Sequence, residues 1–255
     1  MKKVICTLNV GDYQPAIRAL TYPLMQRFAE KIHADFVEIT ERKFPEWPTV
    51  MEKFQTAEIG KRLNADWTLF FDADALISPE MFDPTTHIYK DTVLFNGKDM
   101  SEVRFFADKY FLRDGRRIGA CDWFACSSDW TREDFYSFPD LTPEEAFRNI
   151  SVTIAEQRSG LFKDNHLIDD YTLSRNIARF GLKHDTVIDI CGRMGIRNPQ
   201  TGGGHNPYLF HLYCIPENEK INRMLDVLSK PLDQGGWALM SPADVIHFKS
   251  QWGIK

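Results

Sequence analysis

The sequence lacks long apolar runs and dense clusters of basic residues. It has 255 residues, of which 43% are hydrophobic and 26% are charged, with a formal net charge of −5. No apolar stretch approaches the roughly 20 residues that cross a bilayer. The first apolar run, from Val4 to Val10, is short and is broken by Thr7 and Asn9. We therefore expect no signal peptide, no transmembrane segment and no broad nucleic-acid surface.

Cysteine is sparse and unpatterned. The five cysteines are odd in number and scattered, and none belongs to a CxxC pair; they are Cys6, Cys121, Cys126, Cys191 and Cys214. This argues against a disulfide framework and against a cysteine metal site. We expect reduced core thiols in a cytoplasmic protein.

Internal repeats, low-complexity segments and clear linkers are also missing, which predicts a single domain over 1–255. Strands are predicted at 2–10, 34–40 and 67–71, with helices at 15–32 and 49–63 between them. This alternation predicts an α/β fold with a mostly parallel central sheet. In such sheets ligands bind beyond the carboxyl ends of the strands.

The later half of the chain has a weaker pattern. We predict helices at 167–182 and 218–232, and a flexible loop that begins the segment 201–211. Further strands are predicted at the segments 92–96, 121–128, 186–191 and 243–250.

The stretch "LFFDADALIS" (69–78) contains the most informative pair, Asp72 and Asp74. Two carboxylates this close, set between apolar segments, repel each other and are costly to bury. A divalent cation such as Mg²⁺ or Mn²⁺ would resolve both problems, because such ions prefer oxygen ligands. The plain alternative is that Asp72 caps a turn and Asp74 is solvated.

A second alternative is a phosphatase of the haloacid dehalogenase type. There a DxD after a strand supplies a nucleophile and a general acid, and Asp169-Asp170 would be the downstream acidic pair. That family opens with its DxD strand, whereas two βα units precede the motif here. It also has Thr or Val two residues after the second Asp, where this chain has Leu76.

A third reading rests on three segments in order: "CTLNVGDY", "MEKFQTAEIGKRLNADWTLFFDADALI" and "DVIHFKS". Together they resemble the GT-A fold nucleotide-sugar glycosyltransferases, and most closely families such as glycogenin and the bacterial lipopolysaccharide galactosyltransferases. The resemblance implies a Rossmann-like domain with a nucleotide- and metal-binding half at 1–80. The segment 81–255 would form the acceptor half and carry a C-terminal metal ligand.

The resemblance also implies a metal site of Asp72, Asp74 and His247, with Asp72 touching the donor ribose as well. Lys53 and the late Lys249 would face the diphosphate. The family's HxxGxxK stretch is not reproduced, since the chain reads "HFKSQWGIK". His247 is therefore expected from its position and its predicted strand, with a structural histidine as the alternative.

The loop after the first strand is the expected seat of the base and ribose. Thr7 and Asn9 can hydrogen-bond a base edge, and Tyr13 can stack on it. Simple turn chemistry is the alternative for Asn9.

Acidic residues in the later half are the catalytic candidates. Asp169 and Asp170 open a predicted helix, where the resemblance places an acid near the acceptor, although the helix dipole alone also favours acids there. Asp122 is a further candidate near the sugar, beside Trp123.

Taken together, the sequence predicts a metal-dependent hexosyltransferase. It would move a sugar from a UDP- or GDP-sugar to a saccharide or other hydroxyl acceptor, with Mn²⁺ or Mg²⁺ and, by resemblance, with retention of configuration. A non-catalytic carbohydrate-binding protein on the same fold is a rival. A sugar-nucleotide pyrophosphorylase is another, but its Gly-rich phosphate segment is missing after "CTLNV".

Overall fold

The computed structural model describes residues 1–96, 107–108, 111, 121–151, 158, 167–196, 207–212, 215–231 and 234–255. Within them a six-stranded sheet has the order β2-β1-β3-β6-β5-β7. Among the described strands of this sheet, only β6 runs antiparallel to its neighbours. The strands are β1 Lys3–Leu8, β2 Ala34–Ile39, β3 Trp67–Phe71, β5 Thr92–Asn96, β6 Cys121–Ser128 and β7 Lys183–Thr186. A separate pair consists of β4 Leu76–Ile77 and β8 Leu209–Phe210.

Helices surround the sheet. They are α1 Pro15–Ile32, α2 Gln55–Arg62, α3 Arg132–Phe135, α4 Pro143–Asn149, α5 Ile168–Phe180, α6 Val187–Arg193, α7 Glu217–Ser229 and α8 Pro242–Trp252. Short 3₁₀ segments lie at Thr49–Phe54 and Pro84–Thr86. The α/β class and the mostly parallel, Rossmann-like sheet that the sequence predicts are confirmed.

Both faces of the sheet are covered at its centre, which explains why the central strand β3 is apolar throughout. All five residues of β3 are buried. Alternate residues point to opposite faces: Leu69 and Phe71 pack with α1, whereas Phe70 packs with Met51 and α5. A strand buried on both faces reads as a continuous hydrophobic run, as "WTLFF" does.

Two of the predicted strands are wrong, and helix caps are the reason. The segment 186–191 belongs mainly to α6, because the Thr186 hydroxyl accepts a hydrogen bond from the Asp189 amide. The segment 243–250 lies in α8, which begins with a capping box between Ser241 and Asp244. Such caps accept hydrogen bonds from the backbone N–H groups that have no partner within the first turn of a helix. The helix predicted at 49–63 begins as a 3₁₀ segment and continues as α2.

The sheet topology determines where a ligand can bind. The ends of β1 and β3 lie side by side, and the start of the antiparallel β6 lies at the same edge, since Phe71 pairs with Phe124. The segments that follow β1 and β3 therefore meet there. Among the described helices, none combines the length and apolarity that crossing a membrane requires.

Candidate metal centre

The Asp72-Ala73-Asp74 turn leaves β3 in a fixed conformation. The Asp72 amide donates to the Trp123 carbonyl at 2.8 Å, and the Ala75 amide donates to the Asp72 carbonyl at 2.9 Å. From α1, the Thr21 hydroxyl donates to the Ala73 carbonyl at 2.6 Å. Strand, helix and turn thus hold the backbone of both aspartates in place.

His211 joins the two aspartates from a distant part of the chain. The pairing of β4 with β8 sets Leu76 opposite Phe210, next to His211. The imidazole Nε2 lies 3.2 Å from Asp74 Oδ1 and 3.9 Å from Asp72 Oδ2. The ring stacks on Trp123, with centroids 5.0 Å apart and planes 21° apart.

These three side chains form a group that can hold a metal ion. One ligand atom from each of Asp72, Asp74 and His211 lies within 4.8 Å of the others. Carboxylate oxygens with an imidazole nitrogen suit divalent ions such as Mn²⁺, and carboxylates alone suit Mg²⁺. The donor set therefore fits the expected metal, with His211 as its nitrogen ligand.

Further groups contact Asp74. The buried Lys220 ammonium, from the first turn of α7, forms an ion pair with its Oδ2. The Tyr13 hydroxyl, from the loop after β1, donates to the same oxygen at 3.5 Å. This places Tyr13 of the expected nucleotide loop at the aspartate pair.

Lys53 links the aspartate pair to the acidic start of α5. Its ammonium lies 3.5 Å from Asp72 Oδ1 and 2.6 Å from Asp169 Oδ2. It also lies 5.1 Å from the centre of the Phe70 ring. The Asp169 Oδ1 atom is buried without a hydrogen-bond partner among the described residues. The structure thus brings together Lys53, Asp72 and Asp169, which the sequence analysis selected separately.

The two aspartates differ in their acidity. Burial raises the pKa of Asp72 above its usual value; the Lys53 ammonium opposes this rise, and the Asp74 carboxylate adds to it. Burial also acts to raise the pKa of Asp74, but His211 and Lys220 outweigh it and hold that pKa below its usual value. Burial, with the charges of Asp74 and Asp72, raises the pKa of Tyr13, so its hydroxyl stays a donor. Asp74 is therefore the more readily ionised of the two carboxyl groups.

The nucleotide-loop candidates lie at the same sheet edge. Thr7 is buried within β1. The Asn9 side-chain amide donates to Glu38 Oε2 at 2.9 Å. Beyond Asn9, residues Gly11, Asp12 and Gln14 have positive φ angles. For Asp12 and Gln14 this is an uncommon conformation that the surrounding structure has to maintain.

Other predicted residues lie elsewhere or outside the described parts. His247 is exposed on α8, near Asp244, in a helix rather than the predicted strand. Lys249 lines a groove between α7 and α8 with Arg223 and Asp226. Asp170 follows Asp169 in the first turn of α5 and is half-buried. The side chain of Asp122 lies outside the described residues, although its backbone belongs to β6.

Sequence reasoning missed His211 and Lys220. His211 ends the segment 201–211, which is predicted only to begin as a loop, and Lys220 lies on a correctly predicted helix. Neither residue therefore has a local pattern that marks it. Their meeting with Asp74 depends on the pairing of β4 with β8 and on the packing of α7.

The site and fold together define a Rossmann-like α/β protein with an Asp-Asp-His group at the carboxyl edge of its sheet. No family model and no curated protein matches the sequence. Among solved structures, a glycosyltransferase involved in the glycosylation of the major capsid of PBCV-1 aligns with a TM-score of 0.46 and 10% identity. The alignment covers 88% of this chain and 100% of that one. A197 from STIV aligns with a TM-score of 0.38 and 11% identity, covering 73% of this chain and 82% of that one. These likenesses are too weak to assign an activity, so function is inferred from the site.

Proposed function

We propose that this protein is a metal-dependent glycosyltransferase. It moves a hexose from a nucleotide-diphosphate donor to an acceptor hydroxyl. The observation that carries the proposal is the combination at one sheet edge of Asp72, Asp74 and His211 with the ammonium groups of Lys53 and Lys220. Carboxylates and imidazole suit a divalent cation, and lysines suit phosphate oxygens.

Glycosyl transfer from a nucleotide sugar requires both metal ligands and positively charged side chains at one site. A nucleoside diphosphate leaves readily only when its developing negative charge is neutralised, and a bound Mn²⁺ or Mg²⁺ would supply Lewis-acid stabilisation. Asp72, Asp74 and His211 would hold the ion, His211 taking the place that the resemblance gave to His247. Lys53 would add fixed positive charge where the charge develops.

The loop after β1 would hold the nucleoside of a UDP- or GDP-sugar. Its strained backbone lies beside the metal centre, and Tyr13 already reaches Asp74. In this proposal Asn9 contacts the base and ribose, and Tyr13 stacks on the base. Thr7 has no exposed surface with which to reach the nucleoside directly. Residues 1–80 then form the nucleotide- and metal-binding half, and 81–255 form the acceptor half and supply the metal ligand His211.

The acidic start of α5 would serve the sugar and acceptor. Asp169, paired with Lys53, would orient the site, and Asp170, one residue further along, would act on the acceptor hydroxyl or on positive charge at the sugar carbon. Asp122 is the next candidate for this role. Retention of configuration remains part of the proposal through the family resemblance.

A thermal-shift panel tests the proposal. Each nucleoside diphosphate is added with and without Mn²⁺, and a true donor product stabilises the native state by RT ln(1 + [L]/Kd). We expect one base to raise the melting temperature, only with metal. The matching nucleotide sugar should then release that diphosphate when acceptors are supplied.

Two variants make the test specific. Asp74→Asn removes a ligand charge and should abolish the metal-dependent shift. Asp226→Asn removes the same charge from the exposed side of α7, where Asp226 pairs with Lys230, and should leave the shift intact. If no nucleotide stabilises the parent protein with Mn²⁺, or if Asp74→Asn responds like the parent, the proposal is wrong.

A further inference from the structure

Both oxygens of the Asp74 carboxylate have partners from the protein itself. His211 Nε2 lies 3.2 Å from Oδ1, and the Lys220 ammonium pairs with Oδ2. The Lys220 side chain is only 6% exposed. Burying an ammonium group without a counter-charge has a large cost in desolvation free energy, and the ion pair with Asp74 offsets this cost.

The position of Lys220 at the start of α7 increases its dependence on Asp74. Lys220 lies in the first turn of α7, and its amide donates to the Pro216 carbonyl at 2.9 Å. The positive end of the helix dipole disfavours a cation there and favours acids such as the nearby Glu217 and Glu219. The helix itself therefore gives this ammonium no stabilisation, and Asp74 is its attractive partner.

A divalent ion on Asp74 would change that balance. The side chains of Asp72, Asp74 and Asp169 carry three carboxylates, and Lys53 and Lys220 supply two ammonium groups against them. A cation bound by Asp74 would compete with Lys220 for the carboxylate charge and would repel the ammonium group. An anion that arrives with the cation would remove the conflict, because it offers the ammonium a new partner.

We propose that Lys220 exchanges partners: it pairs with Asp74 when no metal is bound and with the donor diphosphate when metal and nucleotide are bound. This inference rests on the proposed function. It has a consequence that a fixed diphosphate-binding lysine would not have. Metal alone binds weakly because Lys220 competes with it, and metal and diphosphate strengthen each other's binding, since such coupling is reciprocal.

Calorimetry on one variant tests the exchange without any measurement of activity. Lys220→Met keeps most of the length of the unbranched side chain and removes its charge. Titrated with Mn²⁺ alone, it should bind on the order of tenfold more tightly than the parent protein, since a neighbouring positive charge has gone. Titrated with the Mn²⁺–pyrophosphate complex, it should bind about tenfold more weakly, since the phosphate has lost a partner. Effects of opposite sign are the expected result.

Two further variants control for the change in net charge and for a failure of Lys220→Met to fold. Arg223→Met makes the same change of net charge on the exposed side of α7, where Arg223 pairs with Glu219, and should alter neither titration. Lys220→Gln retains a hydrogen-bond donor to Asp74 without the charge. It should reproduce the opposite-sign result if Lys220→Met fails to fold, as judged by circular dichroism.

The failure of this inference can be told apart from the failure of the proposed function. If neither the parent nor the Lys220 variants bind Mn²⁺ or its pyrophosphate complex, both the metal centre and the exchange are wrong. If the parent binds Mn²⁺ but the Lys220 variants bind it equally or more weakly, only the exchange is overturned. Lys220 would then be a residue that merely positions Asp74.

Discussion

The ammonium nitrogen of Lys53 lies 2.6 Å from a carboxylate oxygen of Asp169, and both side chains are almost completely buried. The pair joins the 3₁₀ segment before α2 to the start of α5, and it lies beside Asp72 at the metal centre. Removing one member of such a pair leaves an uncompensated charge in the interior, which is far more costly than losing an exposed pair.

Lys53→Met should therefore destabilise the protein strongly. We expect the free energy of unfolding to fall by about 3–5 kcal/mol, because Asp169 would remain buried without its partner. Denaturant unfolding followed by circular dichroism measures this. Lys61→Met removes a lysine from the exposed pair with Glu133 and should scarcely move the midpoint. Equal effects of the two changes would show that the buried pair has no special role.

The choice between two histidines is open to a direct comparison. His211→Ala should weaken Mn²⁺ binding by roughly tenfold to a hundredfold or more, as losing a metal-site group does. His247→Ala should bind Mn²⁺ like the parent protein, because His247 is exposed on α8. Isothermal titration of both variants decides the matter. A loss confined to His247→Ala would restore the assignment made from the sequence.

Much of the fold is readable from hydrophobic patterns. The strands at 67–71, 92–96 and 121–128 have the predicted bounds, because short apolar runs between turn residues are typical of strands buried on both faces. The two strand errors share another cause. In both segments the number of apolar residues fits a short strand, but a cap residue marks the start of a helix: Thr186 in one segment and Ser241 before the other.

The site is only partly readable for a different reason. Asp72, Asp74, Lys53 and Asp169 carry local signals, such as charges at the end of an apolar run or at the start of a helix. His211 does not, because it reaches the site through a two-residue strand pairing distant in sequence. Such short non-local pairings depend on the whole fold and leave no periodic trace.

A substitution at Gly60 tests the close packing of α2 against β3. A Cβ atom there would lie 2.5 Å from Thr68 Cγ2 and 2.7 Å from Arg132 Nη1, both of buried side chains. Gly60→Ala should cost about 1–3 kcal/mol of stability through overpacking. Gly192→Ala, in α6 with nothing within 4 Å, should instead be neutral or stabilising by up to about 1 kcal/mol. Stabilisation by Gly60→Ala would contradict the described packing.

The buried cysteines should be chemically silent in the native protein. Burial raises the pKa of Cys6 to about 12 and that of Cys191 to about 11, and it raises the pKa of Cys126 well above its usual value. The thiolate is the reactive form, and its fraction at pH 8 falls steeply as the pKa rises above that pH. Iodoacetamide should label these three only after unfolding, as peptide mass spectrometry can show. Fast native labelling of Cys6 at pH 8 would contradict its burial.

The two acids at the start of α5 should separate in their effects. If Asp170 acts on the acceptor or on charge at the sugar carbon, Asp170→Asn should lower kcat by roughly 10²-fold or more, while Mn²⁺ and diphosphate affinities stay nearly unchanged. Asp169→Asn should instead lower the melting temperature, because the buried Lys53 would lose the nearer of the two carboxylates beside it. Asp226→Asn, exposed on α7, is the control for both. Measuring kcat, Kd and melting temperature on the three variants distinguishes catalysis from support of the fold. Unchanged turnover in Asp170→Asn would remove Asp170 from the mechanism and make Asp122 the next acid to test.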